Sequence, residues 1–73
     1  MRITYDEETD AAYIYLVPIA AGGVAQTYPC DPSEVNGMIN LDFDREGRLL
    51  GIEVLDASRK LPRAILERVQ QQA

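Results

Sequence analysis

The sequence predicts an α+β domain: an antiparallel β-meander of about five short strands with one C-terminal helix packed on one sheet face. Three observations carry this. Short segments alternate apolar and polar side chains with period two, and turn residues separate them. The tail LPRAILERVQQQA changes period, with apolar residues four apart. Seventy-three residues suit one domain and no more, so 1–73 is read as a single unit.

RITY at 2–5 opens as a strand with Ile3 and Tyr5 on one face. DEETD at 6–10 reads as a solvated acidic turn, with Asp6 able to cap one helical turn. AAYIYLV at 11–17 is β-branched and aromatic, with strong strand character. Ala12, Ile14 and Leu16 share one face, and Tyr13, Tyr15 and Val17 share the other. Both faces are apolar or amphipathic, which predicts a central strand covered to some degree on both sides. Pro18 ends it, and Gly22-Gly23 marks a turn.

VAQTY at 24–28 is a weaker third strand. PCDPSEVNG at 29–37 reads as a loop broken by Pro29 and Pro32 and closed by the Asn36-Gly37 turn signal. MINLDF at 38–43 points Ile39, Leu41 and Phe43 inward. LLGIEVL at 49–55 sets Leu50, Ile52 and Val54 against Gly51 and Glu53. In the tail, Leu61, Ile65 and Val69, with Leu66 beside them, form one helical stripe. Ser58 suits its cap, and Pro62 is tolerated in the first turn because its missing N–H has no partner there.

DFDREGRLLGIE, residues 42–53, approaches the spacing of a helix–loop–helix calcium site: acids at positions 1, 3, 5 and 12 and glycine at 6. Such a site needs an amphipathic helix on each side, but both flanks alternate by twos. A hairpin explains the same letters. A four-residue loop, Asp44 to Gly47, sets Phe43 opposite Arg48, Leu41 opposite Leu50 and Ile39 opposite Ile52. A loop of odd length, such as a type I turn closing on a glycine bulge, sets Leu41 opposite Gly51 and flips the apolar set. Asp44 opens the type I turn, and Gly47 enters the left-handed region without steric cost. The acids of 42–46 become solvated turn and edge groups. Glu53 is expected to pair with a cation such as Arg48 or Arg63.

The totals narrow the function. The chain has no histidine, which removes the commonest general base and metal ligand and every Ser-His or Cys-His pair. Cys30 is the one cysteine and reads as a small half-buried hydrophobe. A net charge of −5 would repel a phosphate backbone, so no direct nucleic-acid binding is expected. No apolar run approaches the ~20 residues of a membrane span, and no signal-peptide pattern opens the chain, so cytoplasmic residence is the expectation. A carboxylate pair such as Asp42 and Glu53 lacks a cleft in so small a fold, and no cofactor motif is present. The expectation is a protein that is not an enzyme.

One short helix covers one sheet face. The other carries Tyr13, Tyr15, Val17, Leu49 and Leu55, a large apolar set to leave in water. These five are the predicted partner-binding residues. The expected partners are a second copy, giving a homodimer, and/or a basic protein drawn by the negative charge. The leading reading is a small acidic protein-interaction module. The alternative is a small-ligand or cation-binding protein using the acidic turns at 6–10 or 42–46.

Met1-Arg2-Ile3-Thr4-Tyr5-Asp6, Asp10-Ala11-Ala12-Tyr13-Ile14-Tyr15-Leu16, Leu41-Asp42-Phe43-Asp44, Gly47, and Gly51-Ile52-Glu53-Val54-Leu55-Asp56-Ala57-Ser58 together resemble the domain of unknown function 2283 family. These are small, mostly bacterial proteins. The resemblance implies a compact antiparallel sheet with a C-terminal helix and no established catalytic residues. Some members look like the antitoxin half of two-gene toxin–antitoxin pairs, which makes an antitoxin-like role the sharpest form of the interaction reading.

Overall fold

The computed structural model describes residues 1–72. Within them lie β1 (Arg2–Asp6), β2 (Ala11–Tyr15), β3 (Gln26–Pro29), α1 (Pro32–Val35), β4 (Ile39–Phe43), β5 (Leu49–Leu55), α2 (Ala57–Lys60) and α3 (Arg63–Gln72). The five strands form one antiparallel sheet in the order β1-β2-β5-β4-β3. The α+β class, the five-stranded sheet and the C-terminal helix are as expected.

The strand order refines the meander. After β2 the chain crosses to the far edge, lays down β3, and returns through β4 to β5, which pairs with β2. The seven-residue β5, apolar at alternate positions, thereby takes the centre. β3 is exposed at every position and ends in Pro29, which cannot donate to a ladder. Both properties suit an edge.

Helical structure occurs in three places rather than one. The predicted loop 29–37 contains α1. Asp31 caps it, accepting from the Ser33 amide at 3.0 Å and the Ser33 hydroxyl at 2.8 Å, and Pro32 sits in the first turn. Asn36 ends it in the left-handed region at φ 51°. Arg59 and Lys60 of α2 donate to backbone carbonyls at that end, tying α2 to α1. Ser58, expected to cap the tail helix, lies inside α2 instead. Leu61 precedes Pro62 and is held extended at φ −95°, ψ 147°, which separates α2 from α3. The apolar stripe of the tail survives this break. Leu61 packs against the core and Val69 is buried.

The β4–β5 hairpin corrects the predicted register. Asp44 and Arg48 close the loop through the Asp44 amide and the Arg48 carbonyl at 2.9 Å, leaving Arg45, Glu46 and Gly47 between them. The Gly47 amide bonds the Asp44 carbonyl at 3.1 Å, and Gly47 stands at φ 79°. This is the odd loop, a type I turn closing on a left-handed glycine. Asp44 and Gly47 hold their predicted turn positions. The apolar residues still reach one face because β5 carries a second irregularity. Asp42 pairs with Gly51 while Phe43 pairs with Leu49, so Leu50 is an extra residue. Leu41 therefore faces Ile52, and Ile39 faces Val54. The two odd steps cancel in parity, and the register lies two residues from the expected one.

Ala12, Val54 and Ala57 form the buried centre, with Tyr5, Ile14, Ile39, Ile52 and Leu61 packed against it. Helix α2 docks there through Asp10. That residue ends the acidic turn in the left-handed region at φ 52°. Its carboxylate accepts from the Tyr5 hydroxyl at 2.7 Å, the Ser58 hydroxyl at 2.7 Å and the Ser58 amide at 2.9 Å. Its carbonyl accepts from the Ala57 amide at 2.9 Å. Asp56, at the N-cap position of α2, makes no side-chain cap bond. Asp10 does that work from 48 residues away.

These bonds, led by the Ser58 hydroxyl, hold the Asp10 carboxyl below the ordinary aspartate range. A depressed folded pKa contributes stability that is present above the unfolded value near 3.9 and is lost as pH falls through the folded one. Asp31 and Asp44 are depressed in the same direction by their own turns. Asp10→Asn is therefore expected to lower the melting temperature at pH 7 and to make the loss of stability below about pH 4 shallower. Thermal melts across that range check it; a variant that melts like the parent at both ends would show that the Asp10 carboxylate does not hold α2.

Candidate functional site

The face of the sheet opposite the helices is built in two rows. Register places Thr4, Tyr13, Glu53 and Asn40 across one, and Arg2, Tyr15, Gly51, Asp42 and Thr27 across the other. Gly51 has no side chain, and the Tyr13 ring lies in the space. A Cβ built at Gly51 would stand 2.5 Å from that ring. The phenol thus reaches past β5 to β4 and donates to Asp42 Oδ2 at 2.5 Å. Thr27 of β3 donates to the other Asp42 oxygen at 2.6 Å. In the adjacent row Asn40 Nδ2 donates to Glu53 Oε1 at 2.8 Å.

Tyr15 lies beside Tyr13, with ring centroids 4.6 Å apart and planes tilted by 53°. The Arg2 guanidinium stands 4.4 Å from the Tyr15 ring centroid, a cation–π contact. Burial pushes the Tyr13 phenol well above the usual tyrosine range, helped by the bond to Asp42 and the negative field of Asp42 and Glu53. The face is thus an aromatic pair framed by two carboxylates, with both carboxylates held in place by neutral donors.

The five predicted contact residues fall in different places. Tyr13 and Tyr15 adjoin on this face. Val17 lies just past β2, 45% exposed, beside Met1, Arg2 and Tyr15. The bulge at Leu50 sets Leu49 opposite Phe43, which puts it on the helix side of the sheet. Leu55 pairs with Ala11 at the other end of β5. Glu53, expected to find Arg48 or Arg63, is held by Asn40 instead. Arg48 is bound by Asp44 at 2.9 Å, with Glu46 at 3.6 Å. Sequence reasoning missed Gly51 as the seat of the Tyr13 ring. A glycine inside an otherwise regular strand was the available signal, because it marks close approach by another group.

The calcium-like spacing of 42–53 disperses on folding. Asp42 accepts from Tyr13 and Thr27, Asp44 from the amides of Glu46 and Arg48, and Glu53 from Asn40. Among the described residues no three acidic or thiol side chains gather where they could hold one metal ion. Also among the described residues, no helix is long and apolar enough to cross a membrane.

Fold and surface define the class: a small acidic α+β protein with an open, carboxylate-framed sheet face. The chain belongs to the family described as Protein of unknown function (DUF2283), whose pattern matches residues 2–58. That stretch takes in the whole sheet and ends at Ser58, the partner of Asp10; α3 lies beyond it. No curated protein and no solved structure matches the chain.

Proposed function

We propose that this protein is a non-enzymatic interaction module whose tyrosine face receives a basic protein. The observation that carries the reading is the Tyr13–Tyr15 pair on a rigid sheet, flanked by the carboxylates of Asp42 and Glu53. Aromatic side chains fixed by their neighbours lose little entropy on binding and are enriched at interface centres. The carboxylates, together with a net charge of −5, steer and orient a cationic surface. The sharpest form of the reading is an antitoxin-like partner that neutralises a basic toxin encoded beside it.

Co-expression with the product of the adjacent gene tests this. A complex that survives size-exclusion chromatography and loosens as salt rises supports it. Replacing Tyr15 by serine, or Glu53 by glutamine, is expected to weaken that complex while leaving the fold intact. Two proteins that elute separately at low salt would sink the reading.

A further inference from the structure

We infer that two copies of this chain join edge to edge through β1, antiparallel about Thr4, so that their two sheets become one. Hydrogen bonds at the strand ends fix which backbone groups reach that edge. The Leu16 amide bonds the Leu50 carbonyl at 3.0 Å, so Ala12, Ile14 and Leu16 direct their backbone groups to β5. Ala11, Tyr13 and Tyr15 then direct theirs to β1, where they pair with Asp6, Thr4 and Arg2. The amides and carbonyls of Ile3 and Tyr5 are left pointing outward. Among the described residues, no loop or helix backbone bonds to them.

The opposite edge of the sheet is guarded and this one is not. The Cys30 amide bonds the Ile39 carbonyl at 2.8 Å, so by the same alternation β3 turns Thr27 and Pro29 outward. Pro29 has no amide to offer an incoming strand. β1 carries neither a proline nor a bulge over its five residues.

Charge selects the occupant. β1 reads Arg2-Ile3-Thr4-Tyr5-Asp6, with a cation and an anion equidistant from Thr4. In an antiparallel copy centred on Thr4, Ile3 exchanges its outward backbone bonds with the partner's Tyr5, and the two-fold axis repeats the exchange. The same register sets Arg2 opposite the partner's Asp6, also twice. Both side chains are exposed, and among the described residues neither takes part in an ion pair. A slip of two residues in either direction sets Thr4 against Arg2 or Asp6 instead. A parallel copy in register would set like charge on like. On the helix side, the pairing brings the partner's Tyr5 beside Ile3, at the apolar groove where Ile3 meets Ile65 and Val69 of α3. The tyrosine-face reading is not needed for any of this; the dimer forms from one protein alone.

Sedimentation equilibrium of the full chain, from micromolar to several hundred micromolar, provides the test. The parent is expected to dimerise. Arg2→Asp and Asp6→Arg each set like charges opposite one another twice, and each is expected to weaken the dimer roughly 10-fold or more. Asp6→Arg makes the chain less negative, so its loss cannot come from overall repulsion. An equal mixture of the two variants regains both opposite-charge pairs and is expected to dimerise as the parent does. Amide hydrogen exchange on the parent gives a readout without substitution. The Ile3 and Tyr5 amides are expected to gain protection as concentration rises, while the outward Thr27 amide does not. A chain that stays monomeric throughout, single variants that pair like the parent, or a mixture that pairs no better than its components overturns the inference. So does a dimer in which the Ile3 and Tyr5 amides exchange freely. Protection of those amides only on adding the product of the adjacent gene, in a chain that stays monomeric alone, gives the edge to that partner and likewise overturns it.

Discussion

Ala57→Leu is expected to lower the melting temperature by roughly 10–20 °C, the equivalent of about 2–3 kcal/mol in a domain of this size. Ala57 is 0% exposed and completes the buried centre with Ala12 and Val54. Its amide is bonded to the Asp10 carbonyl at 2.9 Å, so its backbone cannot retreat without releasing the latch that docks α2. Three extra carbon atoms have nowhere to go except between the sheet and α2. A domain this short recovers only ~3–5 kcal/mol from its core, so the substitution removes most of its margin. Urea denaturation at pH 7 measures the loss directly. A variant as stable as the parent would mean that α2 does not close the core in solution.

Gly51→Ala is expected to destabilise by about 1–2 kcal/mol, where the same change in another strand interior would stabilise. The sign follows from one contact. The new Cβ would lie 2.5 Å from the Tyr13 ring, and the ring is the movable part. Swinging it aside breaks the bond to Asp42 and uncovers the middle of the tyrosine face. A double-mutant cycle separates this from other causes: in a Tyr13→Ala background, Gly51→Ala is expected to be neutral or stabilising. The phenol supplies a second readout. Its folded pKa is raised, so its contribution is present below the unfolded value near 10 and is lost as pH rises through the folded one. Gly51→Ala is expected to bring the Tyr13 titration down toward the ordinary tyrosine range. Stabilisation by Gly51→Ala in the parent background would show that the ring does not lie over β5.

Much of the architecture was legible because side-chain period is a local property. The alternation of Ile3 with Tyr5, of Ile39 with Leu41 and of Ile52 with Val54 each placed a strand and its inward face. Strand order was not legible, because no local pattern says that β5 inserts between β2 and β4. The hairpin register shows a subtler limit. An apolar pattern reports register only modulo two. A three-residue loop and an extra Leu50 preserve the face of every core residue while shifting partners by two. The same bulge carried Leu49 away from the tyrosines, which no count along an unbroken ladder could foresee.

The candidate site was half legible for a related reason. Tyr13 and Tyr15 declared themselves by type and spacing, and both lie on the face expected. What holds Tyr13 is a hydrogen bond to Asp42, 29 residues away, over a glycine. Its donors and acceptors resemble ordinary turn and edge residues until the strands pair. The Asp10–Ser58 latch joins the first turn of the family-matched stretch to its last residue in the same way. Its acid read as one of four in a solvated turn, and its serine as a cap for the wrong helix.

The proposed interaction rests on the tyrosine face, where Tyr13 and Tyr15 adjoin between Asp42 and Glu53. Chemical-shift mapping of the isotope-labelled chain, titrated at low salt with the purified product of the adjacent gene, locates the contact. Shifts are expected at Tyr13, Tyr15, Asp42 and Glu53, fading as salt rises. No shifts at all, or shifts confined to the helix side of the sheet, would show that the tyrosine face does not receive the partner.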